Sequence, residues 1–133
     1  MDPANVSYLA VFVAALSSFL IGGLWYSPIL FANAWMREAG VSESALRAHV
    51  GAVFAGAFVL SLVVAANLAF FLGRAAGLAW GASAGALAGI GWACASLATV
   101  FLFERRSKLL IVIDGGYLAV SYTVMGALIG VIQ

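Results

Sequence analysis

Asp114 is the residue with the most chemistry to offer in this sequence. It lies six residues past Lys108, roughly 9 Å along a helix that rises 1.5 Å per residue, inside the apolar run that follows a charged stretch. A carboxylate at that depth in lipid costs about a few kcal/mol unless it is paired or hydrated, so by default it is a candidate for a direct role in transport or catalysis. Ser17, Ser18, Ser96 and Thr99 fall at similar depth, and Tyr117 shares a helix face with Asp114; these five are expected to line a polar pocket or a solute path with it. The structural alternatives are an ion pair between Asp114 and Arg105, Arg106 or Arg37, and hydroxyls bonded to the backbone of their own helices one turn back. Arg105, Arg106, Lys108 and Arg37 are suited to anionic lipid headgroups.

Other chemistry is poorly represented. One cysteine, Cys94, excludes an internal disulfide and a cysteine-based metal site, and it reads as a small core residue. His49 is the one histidine, and without a second His or Cys it makes no metal centre. No glycine-rich phosphate loop, nucleophile elbow or HExxH is present. No metal or cofactor is expected, and the reading leans away from an enzyme.

The elements that must position Asp114 follow from composition. The 133 residues are 65% hydrophobic and 8% charged, with mean hydropathy +1.14, against about 25% charged in soluble domains. This is the composition of an integral membrane protein. Net charge near +1 without a basic stripe argues against nucleic acid. Four runs, 6–24, 50–72, 80–103 and 109–132, each have the roughly 20 residues that a helix needs to cross lipid. They predict a single all-α domain, a four-helix membrane bundle. No basic stretch precedes the first run, so it is expected to remain as a span.

Lys and Arg fix the expected orientation. The first and third connections carry Arg37, Arg47, Arg105, Arg106 and Lys108, and the opposite side carries Arg74. The positive-inside rule then places those two connections in the cytoplasm and both termini outside it. In the first connection Trp25 and Tyr26 are expected as headgroup-level anchors, and Leu30, Phe31, Ala34 and Trp35 predict an interfacial helix. Ser42 is expected to cap the second long helix, with Glu43 and Arg47 paired one turn apart. The short connection 73–79 predicts a tight hairpin of spans two and three. Asn67 is expected to bond across helices.

Glycine organises the packing. Gly77, Gly81, Gly85 and Gly89 recur every fourth residue on one stripe of the third span, while Gly126 and Gly130 belong to a stripe of the fourth. Such ladders let helix backbones approach closely. They predict that the third span is the most buried helix and that copies of the chain form a homo-oligomer.

The stretches LWYSPILFANAWMR, 24–37, and LFERRSKLLIVIDGGY, 102–117, resemble the two signatures of the domain-of-unknown-function 1761 family, small membrane proteins with four spans. The resemblance covers the chain in length and span order, and it implies no activity. Where the family pattern usually has Asn, this chain has Asp114, so the resemblance implies no family-wide mechanism built on a negative charge there. The expectation is a multi-pass protein of a bacterial cytoplasmic membrane, in contact with membrane lipids, that passes or moves a small solute or ion. A structural or lipid-binding role for the basic third connection is the alternative.

Overall fold

The computed structural model of the chain describes residues 2–133, and every regular element among them is helical. A short 3₁₀ turn at Pro3–Asn5 precedes α1 (Tyr8–Trp25), α2 (Ala32–Ala39), α3 (Glu43–Arg47), α4 (Val50–Leu72), α5 (Gly77–Ala88), α6 (Ala95–Phe103) and α7 (Lys108–Ile132). A π-turn, Gly89–Cys94, joins α5 to α6. Four stretches, Tyr8–Trp25, Val50–Leu72, Gly77–Phe103 and Lys108–Ile132, are long and apolar enough to cross a membrane. The protein is an all-α bundle with two short helices in its first connection.

Serines open three of the helices. Ser7, Ser42 and Ser107 each accept a hydrogen bond from the backbone N–H three residues on, at 3.1–3.2 Å, which satisfies donors that a helix start leaves free. Gly40, at φ +71°, closes α2 in the left-handed conformation that suits glycine. Ser42 caps α3, whose Glu43 and Arg47 pair at 2.6 Å. The helix does not run on into the second span. His49 takes φ +55° and forms an elbow, so α3 is a separate turn and α4 starts afresh at Val50.

The central helix is α7 and not the third span. It packs on α1, α4, α5 and the π-turn, and it buries Leu110, Ile113, Ser121, Met125 and Ile129 together with Gly115, Gly126 and Gly130. The third span buries only Gly81, Gly85, Ala88 and Gly89. The reason is that the two glycine ladders meet each other. A Cβ on Gly126 would run into the Gly81 carbonyl, one on Gly85 into the Tyr122 carbonyl, and one on Gly130 into the Gly77 carbonyl. On Gly89 it would meet the Tyr122 side chain at 2.7 Å. The ladders are therefore used within one chain and supply no argument for a second copy.

This docking also pulls α5 away from α4. The expected tight hairpin of spans two and three is replaced by a groove of about 680 Å³, lined by Asn67, Phe71, Trp80 and Trp92 among others. Phe71 and Trp92 meet edge-on across it, with ring centroids 5.4 Å apart. Asn67 donates to the Val63 carbonyl of its own helix at 2.8 Å, and not across helices.

In the half of the bundle nearest the termini α1, α4 and α7 share an apolar core. Ala10, Ala14 and Ala15 of α1 pack with Ala65, Leu68 and Ala69 of α4 and with Met125 and Ile129 of α7. Gln133 ties this end together, accepting from Ser7 N at 2.8 Å and donating to the Ala69 and Gly73 carbonyls at 2.9 Å each. In the other half α4 diverges, and residues 50–57 are exposed throughout.

Candidate functional site

The site begins where α1 ends. Tyr26 N–H bonds back to the Gly22 carbonyl, and the chain then reverses, with Phe31 N–H donating to the Trp25 carbonyl at 3.1 Å and Ala32 N–H to the Ser27 carbonyl at 3.1 Å. That reversal packs Phe31 against Trp25, with centroids 4.9 Å apart and the rings tilted by 44°, and turns both Trp25 and Tyr26 towards α7. The Trp25 indole N–H donates to the Ile113 carbonyl at 2.9 Å. Its ring lies over Gly116, where a Cβ would stand 2.9 Å from the nearest ring atom. Trp25 and Tyr26, the expected headgroup anchors, also clip the first span to the Asp114–Tyr117 segment. Gly116→Val should push the indole off α7 and lower stability by about 1–3 kcal/mol, read as a shift in unfolding midpoint with a red-shifted tryptophan emission.

Asp114 is held by a tyrosine. The Tyr26 hydroxyl donates to Asp114 Oδ1 at 2.7 Å, and the Trp35 indole lies beside the same carboxylate. The expected partners Arg105, Arg106 and Arg37 do not bond it. Among the described residues the ion pairs are Arg37–Glu38 at 3.6 Å, Arg47–Glu43 at 2.6 Å and Arg106–Glu104 at 3.0 Å. Tyr26 lies just beyond the end of α1, and its phenol is pushed well above its ordinary range, by burial first and then by the bond to Asp114. It therefore stays a donor at any physiological pH.

Asp114, Tyr26 and Tyr117 line a cavity of about 800 Å³ that opens where α4 diverges. Val50, Val53, Phe54 and Ala57 of α4 form the far wall, Leu97 and Leu118 an apolar side, and α2 and α3 the mouth. The Tyr26 ring meets Trp35 at 67° and Tyr117 at 64°, with centroids 5.5 and 5.6 Å away, so the three rings make a corner and not a stack.

The hydroxyls expected beside Asp114 divide into two sets. Ser121 donates to Ser18 Oγ at 2.7 Å, the Ser18 and Tyr117 hydroxyls are 3.1 Å apart, and the Tyr117 hydroxyl donates to the Ser18 carbonyl at 3.1 Å. Each hydroxyl has one proton to give, so the order must be Ser121 to Ser18 to Tyr117 to a backbone carbonyl. The chain is complete and lies between α1 and α7. Ser17, Ser96 and Thr99 are not part of it. Ser17 bonds the Ala14 carbonyl at 2.6 Å and Thr99 the Ala95 carbonyl at 2.8 Å, each within its own helix, while Ser96 and Thr99 are exposed on the outer face of α6.

The cations of the third connection differ in their engagement. Arg106 pairs with Glu104 and lies 5.4 Å from the Phe101 ring centroid, while Arg105 and Lys108 are exposed. His49 is exposed at its elbow. Cys94 donates to the Gly115 carbonyl at 2.8 Å. Among the described residues no group of three His, Cys, Asp or Glu side chains could hold a metal ion.

Sequence reasoning missed Tyr26, Trp35 and Ser121 as members of the site. The usable signal was the spacing of Trp25 and Tyr26 before a proline, opposite a Gly–Gly pair beside Asp114: aromatic rings on one helix and missing side chains on the other. The two stretches that carry the family resemblance, 24–37 and 102–117, are the two that this clip brings together. Neither a curated protein nor a solved structure matches the chain. A family model described as protein of unknown function, DUF1761, matches residues 9–130, and as that is almost the whole sequence, the chain belongs to this family.

Proposed function

We propose that the protein binds a small amphiphilic molecule drawn from the leaflet beside its charged connections, which the positive-inside rule makes the cytoplasmic one. The observation that carries this reading is the cavity itself: about 800 Å³, apolar on the α4, Leu97 and Leu118 sides, with the Asp114 carboxylate in its lining at membrane depth and Glu43 at its mouth. That volume falls in the range of small-molecule sites, which combine apolar walls with a few placed polar groups. An apolar tail fits against Val50, Val53 and Phe54, and a polar head reaches Asp114.

Uptake is the part of a passage across the membrane that this geometry supports. Ala14, Ala65, Leu68, Met125 and Ile129 close the terminal half, so passing a solute or ion onward requires α4 to move or a second copy to complete the route. Anionic lipid contact is the second reading, favoured by the exposure of Arg105 and Lys108 at the same end.

Val53→Trp tests the first reading by filling the cavity from its exposed wall. Native mass spectrometry of protein taken from membranes is expected to show a bound small molecule that this variant lacks. A bound species retained at full occupancy in Val53→Trp, or none in either protein, would count against the cavity as the binding place.

A further inference from the structure

We infer that the head of the molecule taken into this cavity is an organic cation, an alkylated ammonium, and not an anion or a neutral hydroxyl. The inference rests on the binding role proposed above and adds the chemical class of the ligand. It follows from what each polar group at the cavity floor still has to offer. The Tyr117 proton is engaged by the Ser18 carbonyl and the Tyr26 proton by Asp114. Tyr26 therefore meets a ligand as an acceptor, while Tyr117, whose hydroxyl also accepts from Ser18, presents its ring. A carboxylate has room for about four hydrogen bonds, and Tyr26, with the Trp35 indole beside it, leaves about two of them open. Around Asp114 the residual chemistry is thus chiefly that of an acceptor with a negative charge, and Asn33 adds an uncharged amide to the lining.

The rings point the same way. Tyr26, Trp35 and Tyr117 form the aromatic corner beside Asp114. Aromatic faces attract cations by about 0.5–1 kcal/mol when exposed and about 2 when desolvated, and groups of them recognise quaternary ammonium ions. An anionic head would have to enter against Asp114. The positive charges nearby are already committed, Arg106 to Glu104 and Arg47, at the mouth, to Glu43, so neither is set to receive an anion inside.

The test uses the full chain in nanodiscs of an uncharged galactolipid, whose head carries no ammonium, with three probes of matched tail: octyltrimethylammonium, 1-octanol and octyl sulfate. Calorimetric titration against empty discs is expected to give saturable binding of the cation at least about ten-fold tighter than of either other probe. Asp114→Asn retains an acceptor for Tyr26 and should bring the cation to within about two-fold of octanol in the same variant. Trp35→Leu should weaken the cation selectively, and it carries the test if Asp114→Asn does not fold. Equal binding of octyltrimethylammonium and octanol, both abolished by Val53→Trp, would overturn the cation and leave the cavity standing. No saturable binding of any of the three would overturn the binding role beneath it.

Discussion

Gly126→Val is expected to separate α5 from α7 and to remove most of the folded protein. At Gly126 the nearest obstacle to a side chain is the Gly81 carbonyl, with the Gly85 Cα behind it at 3.0 Å. Both are backbone atoms, so no rotamer change relieves the clash and the helices must move apart. Because lipid gives apolar side chains no reason to leave it, this contact depends on dispersion at close range and on weak polar contacts between backbones. Overpacking a tight core costs about 1–3 kcal/mol and sometimes more. Here the loss should reach about 3 kcal/mol or more, since Gly81, Gly85 and Gly130 lose their partners together. The control is Gly51→Ala. Gly51 is also helical, but nothing lies within 4 Å of a Cβ there, so alanine should be neutral or stabilise by up to about 1 kcal/mol through helix propensity. Unfolding in mixed micelles reads both. Equal effects of the two substitutions would show that the glycines matter for composition and not for contact.

The same comparison explains what was readable beforehand. The spans were legible because lipid leaves one solution for twenty apolar residues, and α2 because a proline and a glycine bracket a short amphipathic repeat. The stripe Gly77–Gly89 was legible as a close-approach surface, but not its partner. A ladder says that a backbone can come near and not whose. Once it docks on Gly126 and Gly130, the third span is carried to the edge and α7 becomes the centre. The groove beside Asn67 and the failure of a tight hairpin follow from that one choice.

The polar residues were harder to read for a related reason. Depth along a helix follows from residue number, and it put Ser96 and Thr99 level with Asp114. Rotation about the helix relative to its neighbours does not follow from depth, and the π-turn at Gly89–Cys94 adds a further twist just before them. These two side chains end on the outer face. Ser18, Tyr117 and Ser121 meet because α1 and α7 are antiparallel neighbours. The ion pair foreseen for Asp114 gave way to a hydrogen bond because Pro28 and the reversal after it bring Tyr26 to the acid, while the third connection ties Arg106 to Glu104.

Tyr26→Phe tests whether that hydrogen bond holds the site together. It keeps the ring between Trp35 and Tyr117 and removes only the donor to Asp114. Hydrogen bonds to charged groups contribute about 1.5–3 kcal/mol, most of which is the cost of leaving the ion without its partner. A loss of about 2 kcal/mol is therefore expected from Tyr26→Phe alone. In Asp114→Leu no charge is left to satisfy, and adding Tyr26→Phe should then lower stability by much less. The coupling energy of this double-mutant cycle should be about 1–2 kcal/mol. If the two effects simply add, water entering the cavity already satisfies the carboxylate and Tyr26 is a wall and not a clamp. The distinction bears on binding, because a clamped Asp114 presents its free acceptor positions at a fixed point on the cavity floor. A hydrated one would first have to surrender its water to any ammonium head, and the preference for a cation over octanol would shrink accordingly.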